Sequence, residues 1–164
     1  MGQLSSSAAR VAEALIRLGI TTEVREMPAS TRSATEAAAA VGCDVAMIVK
    51  SLVFRSVDAD EAILVLVSGG DRVDEVRLAD VVGQAVQRAD ASFVRERTGY
   101  AIGGVPPLGH ERPVATYMDE GLLAHDVVWA AAGTPNAVFS VAPHELARAT
   151  EAEVVSVSMP APPS

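Results

Sequence analysis

Apolar residues recur at helical spacing near the start of the chain. Val11, Ala14, Leu15 and Leu18 share one face of a helix predicted from Ser5 to Leu18, and Gly19 stops it. Thr22 to Met27 reads as a first strand, ended by Pro28. Ser33 to Val41 reads as a second helix, because Ser33 followed by Glu36 forms a capping box and Gly42 terminates it. Its face is almost wholly Ala, so a neighbour must pack close. Ile48 to Arg55 and Ala62 to Val67 predict two strands, and the polar link Asp58-Ala59-Asp60 suits a hairpin between them. Gly69-Gly70-Asp71 is a turn.

Short helices follow at Val76 to Val82 and Ala91 to Arg97, the second closed by Gly99. Gly104 to Pro113 holds too many Gly and Pro for regular structure. Strands are predicted at Val114 to Met118, Val127 to Ala130, Ala137 to Val141 and Val154 to Val157. A short helix from Pro143 to Ala149 carries Pro in its first turn. The last residues, 159–164, read as a frayed tail. About seven strands and five short helices, not in strict alternation, predict one α+β domain over residues 1–164 with a mixed or antiparallel sheet.

Composition narrows the function classes. Of 164 residues, 49% are apolar and 21% charged, a globular profile. Three Phe, two Tyr and one Trp provide few platforms for stacking single-stranded bases. No apolar run is long enough to cross a membrane, and the amphipathic start is unlike a signal peptide, so a cytoplasmic location is expected. A single cysteine, Cys43, makes no internal disulfide. The three histidines have no zinc-site spacing, and no metal or other cofactor is expected. The net charge of −8 opposes a general nucleic-acid coat but permits a small contact with the end of an RNA.

Two segments stand out chemically. Of the 13 basic residues Lys50 alone is Lys, and it interrupts an apolar strand. By alternation Lys50 shares a face with Ile48, Leu52 and Phe54. It is either a charged donor to a phosphate or oxyanion, or a lysine guarding a sheet edge. The stretch from Thr98 to His110, TGYAIGGVPPLGH, combines glycines that bare the backbone with prolines that stiffen it. It is either a cradle of N–H donors for a carbonyl or oxyanion, or a rigid connection.

In this order and spacing, the two segments resemble the YbaK/EbsC family, the aminoacyl-tRNA deacylase domain also found inserted in bacterial prolyl-tRNA synthetases. The resemblance runs from about residue 28 to 150. It rests on Ala37-Ala38 through Gly42, Ile48-Val49-Lys50-Ser51-Leu52-Val53-Phe54, Thr98-Gly99-Tyr100 and Gly103-Gly104-Val105-Pro106-Pro107-Leu108-Gly109. Met118-Asp119-Glu120, Ala132-Gly133 and Val141-Ala142-Pro143 extend it.

The resemblance implies a central mixed, barrel-like sheet flanked by short helices. It also implies hydrolysis of the ester that links a wrong amino acid to tRNA. Lys50 falls on the family's functional lysine, Gly103, Gly104, Pro107 and Gly109 on its glycine-proline loop, and Asp119 on its acidic position. Lys50 and Gly104 are the expected catalytic residues. Tyr100, Gly103, Val105, Pro106, Pro107, Gly109, His110, Asp119 and Gly133 are the expected substrate contacts. The expected partners are the acceptor end of a mischarged tRNA, including tRNA(Pro), and prolyl-tRNA synthetase. Pro106 and Ala131 stand where many members carry Ser, so hydroxyls are lost at two positions.

No Ser-His-Asp or Cys-His arrangement is evident, which favours attack by water or a substrate group over a protein nucleophile. The alternative to a deacylase is an idle module that binds the aminoacyl end or a synthetase without hydrolysis.

Overall fold

The computed structural model describes residues 3–161. Helix α1 (Ser6–Arg17) starts at Ser5, whose hydroxyl accepts from the Ala8 amide, and buries Ala8, Val11, Ala14 and Leu15. Helix α2 (Ala34–Val41) carries the full capping box of Ser33 and Glu36 and ends on left-handed Gly42. The polyalanine face meets its close neighbour as expected, since Ala37 and Ala38 pack on Ile48 with Trp129 alongside.

The sheet is mixed and flanked by helices. Strands β1 (Arg25–Glu26), β2 (Ile48–Ser56), β3 (Ala62–Ser68), β4 (Asp71–Val73), β5 (Val86–Arg88), β6 (Ala115–Asp119), β7 (Val128–Ala131), β8 (Ala137–Val141), β9 (Glu153–Val155) and β10 (Ser158–Pro160) follow in chain order. The main sheet runs β1-β8-β7-β2-β3-β6-β9, and β4 pairs with β10 in a small second sheet. The ends of the main path, β1 and β9, are not paired with each other among the described residues.

Strand β3 is central. Leu64 and Leu66 face a core built with α1, while Ile63, Val65 and Val67 face a second core with Phe54 and Leu78. A strand covered on both faces needs an unbroken apolar run, and AILVLV is one. Helices α3 (Glu75–Val82), α4 (Ala91–Thr98) and α5 (Pro143–Thr150) complete the layers.

Strand β2 matters most for the site. Strand β3 pairs with it antiparallel from Val49 to Arg55 and so fills one edge. On the other edge, parallel β7 covers only Ile48 and Val49, and antiparallel β5 covers only Phe54 to Ser56. The Ala89 amide reaches the Val53 carbonyl and extends that second pairing by one residue. Lys50, Ser51 and Leu52 are left in the fork between them.

Several boundaries differ from the sequence reading. The first strand shrinks to Arg25–Glu26, because only Val138 and Ala137 of β8 oppose it. The expected last strand, Val154 to Val157, is Glu153–Val155 instead, since the Asp119 carboxylate takes the Val157 and Ser158 amides at 2.9 and 3.0 Å and turns the chain there. Met159 and Pro160, expected to fray, pair with Arg72 and Asp71. Residues 162–164 of that tail lie outside the described part.

Replacing Leu66 by Ala should lower the unfolding free energy by about 2–5 kcal/mol. Ile16→Ala, at a side chain 79% exposed, should change it by less than about 0.5 kcal/mol. Urea titrations of the two variants check this.

Candidate functional site

A cavity of about 480 Å³ opens at the fork in the sheet. Its walls come from the start of α2, residues 48–53 of β2, the end of β5, Val94 of α4, residues 102, 103 and 105, β7 and Val138. Because the exposed element of β2 is an edge, residues from both of its side-chain faces reach the cavity. Most of the wall is small and apolar, from Ala34 and Ala37 to Val49, Val53 and Val105.

The charges in the wall are of one sign. Arg32, Lys50 and Arg88 line it, and among the described lining residues there is no carboxylate, imidazole or thiol. In a chain of net charge −8 this is a strong local inversion. Lys50 donates from Nζ to the Asp71 carbonyl. Burial lowers its pKa from the ordinary lysine value; the Asp71 carboxylate opposes this and the Arg88 cation adds to it. Arg88 sits opposite Phe54 across the β2–β5 ladder, its guanidinium 5.8 Å from the ring centre. Arg32 lies against Gly103, where a Cβ would come within 2.8 Å of the Arg32 Cγ.

The segment carrying Arg32 is tied to the β7–β8 turn. Thr31 donates its amide to the Pro135 carbonyl at 2.7 Å, and Met27 donates to the Asn136 carbonyl at 2.7 Å. The Asn136 side chain returns a bond to the Met27 carbonyl at 3.0 Å. Trp129 forms part of the wall beside this segment, with the Arg25 guanidinium 5.5 Å from its ring.

Of the residues expected from sequence, Lys50, Gly103 and Val105 share the cavity wall. The amides of Gly103 and Val105 have no protein acceptor among the described residues. Gly104, an expected catalytic residue, has its amide bonded to the Ala101 carbonyl at 3.1 Å in a turn. Its carbonyl accepts from Gly133 at 2.9 Å, which lashes the loop to the β7–β8 turn. No side chain fits at Gly104, since a Cβ would stand 2.8 Å from the Thr134 backbone.

The other expected contacts lie outside the cavity wall. Tyr100 is 1% exposed and anchors the loop by donating its hydroxyl to the Gly109 carbonyl at 2.7 Å. A ring so buried has no free face for a base. His110 is partly buried, with Nε2 2.8 Å from the Pro106 carbonyl and its ring edge-on to Tyr100. Burial lowers its pKa, the bond to Pro106 opposing. Pro106 and Pro107 are buried within the loop itself. Gly109 and Gly133, both left-handed, are approached by α1: a Cβ on the first would be 3.2 Å from the Ala14 Cβ, and on the second 2.8 Å from the Ser7 carbonyl oxygen. Asp119 is 1% exposed and caps the short 3₁₀ helix Glu120–Ala124 through the Gly121 amide, besides holding the Val157–Ser158 corner.

Sequence reasoning missed Arg32, Arg88 and Trp129. Arg32 adjoins the predicted helix start, a signal that could have raised it, but twelve arginines in one chain masked both cations. Of the two lost hydroxyls, Ala131 lines the cavity and Pro106 does not.

A family model for the aminoacyl-tRNA editing domain matches residues 28–149. The chain belongs to this family. YwhH of Bacillus subtilis, a protein without an assigned role, is 31% identical over 124 residues, 76% of this chain and 78% of that one. A proline–tRNA ligase of Brachyspira hyodysenteriae is 28% identical over 75 residues, 45% of this chain but only 13% of the ligase. Among solved structures, a candidate trans-editing enzyme for prolyl-tRNA synthetase superposes with a TM-score of 0.90 at 49% identity, covering 96% of this chain and 99% of that one. The hypothetical protein APE2540 follows with a TM-score of 0.86 at 33% identity, covering 92% and 99%. In this editing domain the glycine-proline loop and the β2 lysine meet at one cavity.

Two outcomes test the loop. Gly104→Ala should cost about 1–3 kcal/mol of stability, because the new methyl meets backbone rather than a movable side chain; a melting curve measures it. His110, with its folded pKa below the unfolded value of 6.5, is protonated first in the unfolded chain as pH falls. Its contribution is therefore complete above pH 6.5 and is lost as pH falls towards the folded value. The stability difference between the wild type and His110→Gln should narrow between pH 7.5 and pH 5.5 in urea titrations.

Proposed function

We propose that the protein is a trans-editing deacylase, which hydrolyses the ester between a wrong amino acid and the terminal ribose of a tRNA. The observation that carries this is the cationic cavity in an acidic, editing-family chain. Such a cavity attracts an anionic chain end and concentrates the field there, while the rest of the surface repels a long stretch of RNA. A volume of about 480 Å³ is in the range that encloses a small ligand, here one aminoacyl-adenosine end.

In this reading Arg32 and Arg88 hold phosphate, and Lys50 holds the ester carbonyl or the phosphate beside it. The amides of Gly103 and Val105 receive the oxyanion. One such donor is worth about 10²–10³-fold in rate. With no imidazole or carboxylate in the wall, water attacks the carbonyl carbon and gives up a proton to solvent or to the neighbouring ribose hydroxyl. The acyl–oxygen bond breaks, and the ribose oxygen leaves with a proton delivered by solvent or by that same hydroxyl, which frees the amino acid and the tRNA end. Positioning supplies the remainder of the acceleration. The link to prolyl-tRNA synthetase is drawn from the similarity to proteins of that description, and mischarged tRNA(Pro) is the first substrate to try. The competing reading, a module that binds the same end without hydrolysis, draws on Ala131, whose methyl occupies the wall where many relatives carry a hydroxyl.

A panel of mischarged tRNAs, scored by loss of labelled amino acid, separates the two readings. The deacylase reading requires turnover of at least one. Lys50→Ala should remove most of that activity and leave the melting temperature near that of the wild type. Lys50→Arg should also be impaired, because a planar fork does not replace a compact ammonium. A folded Lys50→Ala protein with wild-type rates would overturn the assignment of Lys50.

A further inference from the structure

Residues 99–111 form a loop whose two ends meet, in the manner of an Ω-loop. The Glu111 amide bonds the Thr98 carbonyl at 3.3 Å, and the Glu111 side chain lies against Gly99, where a Cβ would be 2.7 Å from its Cγ. Midway round, Ile102, Gly103 and Val105 line the cavity.

One side chain from outside the matched family region grips the neck of this loop. Arg10, on α1, donates to the Gly99 carbonyl at 3.1 Å and to the Glu111 carboxylate at 3.2 Å. Its guanidinium also lies 4.6 Å from the centre of the Tyr100 ring. Tyr100 in turn donates to the Gly109 carbonyl, near the far end of the loop. Arg10 thus touches the start of the loop, its end and its internal strut at once. A guanidinium suits this task, since its planar fork can bond two acceptors while its face stacks on a ring. Arg10 is not in the cavity wall, and neither are its bonding and ring partners Gly99, Glu111 and Tyr100.

We propose that Arg10 is a positioning residue, which holds the neck of the 99–111 loop closed and thereby fixes Gly103 and Val105 in the cavity wall. The proposal rests on the deacylase reading for its kinetic consequence, but not for its structural one. A donor displaced by about 1 Å can lose on the order of 10²-fold in rate. The neck contacts are partly exposed, so their loss leaves the buried face of α1 in place.

The test is Arg10→Met, which keeps the length of the stem and removes the fork, with Arg10→Lys as the conservative variant. Amide exchange at Tyr100, Gly104 and Glu111, the loop amides bonded to protein acceptors, should accelerate in Arg10→Met while that of β3 stays unchanged, and kcat should fall about ten- to a hundredfold with little change in KM. Arg10→Lys, which keeps a cation on Tyr100 and one bond, should recover part of both. Unchanged loop exchange in Arg10→Met overturns the proposal, as does faster loop exchange with an unchanged kcat. If β3 exchange also rises, Glu111→Ala takes its place: faster loop exchange alone supports the clamp, and none overturns it. If the wild type hydrolyses no mischarged tRNA, the deacylase reading fails by itself, and loop exchange still decides whether Arg10 holds the neck.

Discussion

Strand β2 changes neighbours halfway along its length, and the site depends on that change. With one edge filled by β3, the other edge is shared by a parallel strand at one end and an antiparallel strand at the other. Two strands of opposite direction cannot continue one ladder, so the sheet parts between them. The parting leaves residues 50–52 without a covering strand on that edge, and side chains of both faces line the cavity there. Lys50 has no covering strand at the edge beside it, which is why an ammonium is tolerated within an apolar strand.

Charge is arranged around that gap. Arg88 enters from the antiparallel side on the Phe54 ring, and Arg32 from the chain that leads into α2. Neither is neutralised by a carboxylate in the wall. Elsewhere Asp60 takes both Arg55 and Arg97, and these two guanidiniums flank the Phe93 ring. The contrast is between arginines paired with a carboxylate and three cations that share a cavity wall without one.

Much of the fold was legible because it is local. The capping box of Ser33 and Glu36, the left-handed stop at Gly42 and the β2–β3 hairpin follow from residues a few positions apart. Strands β4, β5 and β10 were not legible, since each is three residues long and exists only by pairing with a distant segment. The site divides in the same way. Lys50 was visible as the single lysine in an arginine-rich chain, and the glycine-proline stretch by its composition. Arg32 and Arg88 were hidden among ten other arginines, for nothing local distinguishes a cation aimed into a cavity. Tyr100, His110 and Asp119 carry groups able to do chemistry, yet each is engaged with backbone: a carbonyl at Gly109, a carbonyl at Pro106, and amides at Gly121, Val157 and Ser158.

The fork also shapes how the molecule must assemble. Its two arms, β5 and β7, come from opposite sides of the loop that lines the cavity, and β7 joins β2 across some eighty residues of intervening chain. Such pairings repay their loop-closure entropy only late, which places this topology among the slower-folding ones. The local β2–β3 hairpin can form early, but it holds only one wall. A partly folded chain therefore presents Lys50 without the arginines or the loop, and a ligand that needs all of them binds the native state alone. Such a ligand in excess of its dissociation constant then acts as a folding ligand, pulling the equilibrium towards the complete sheet.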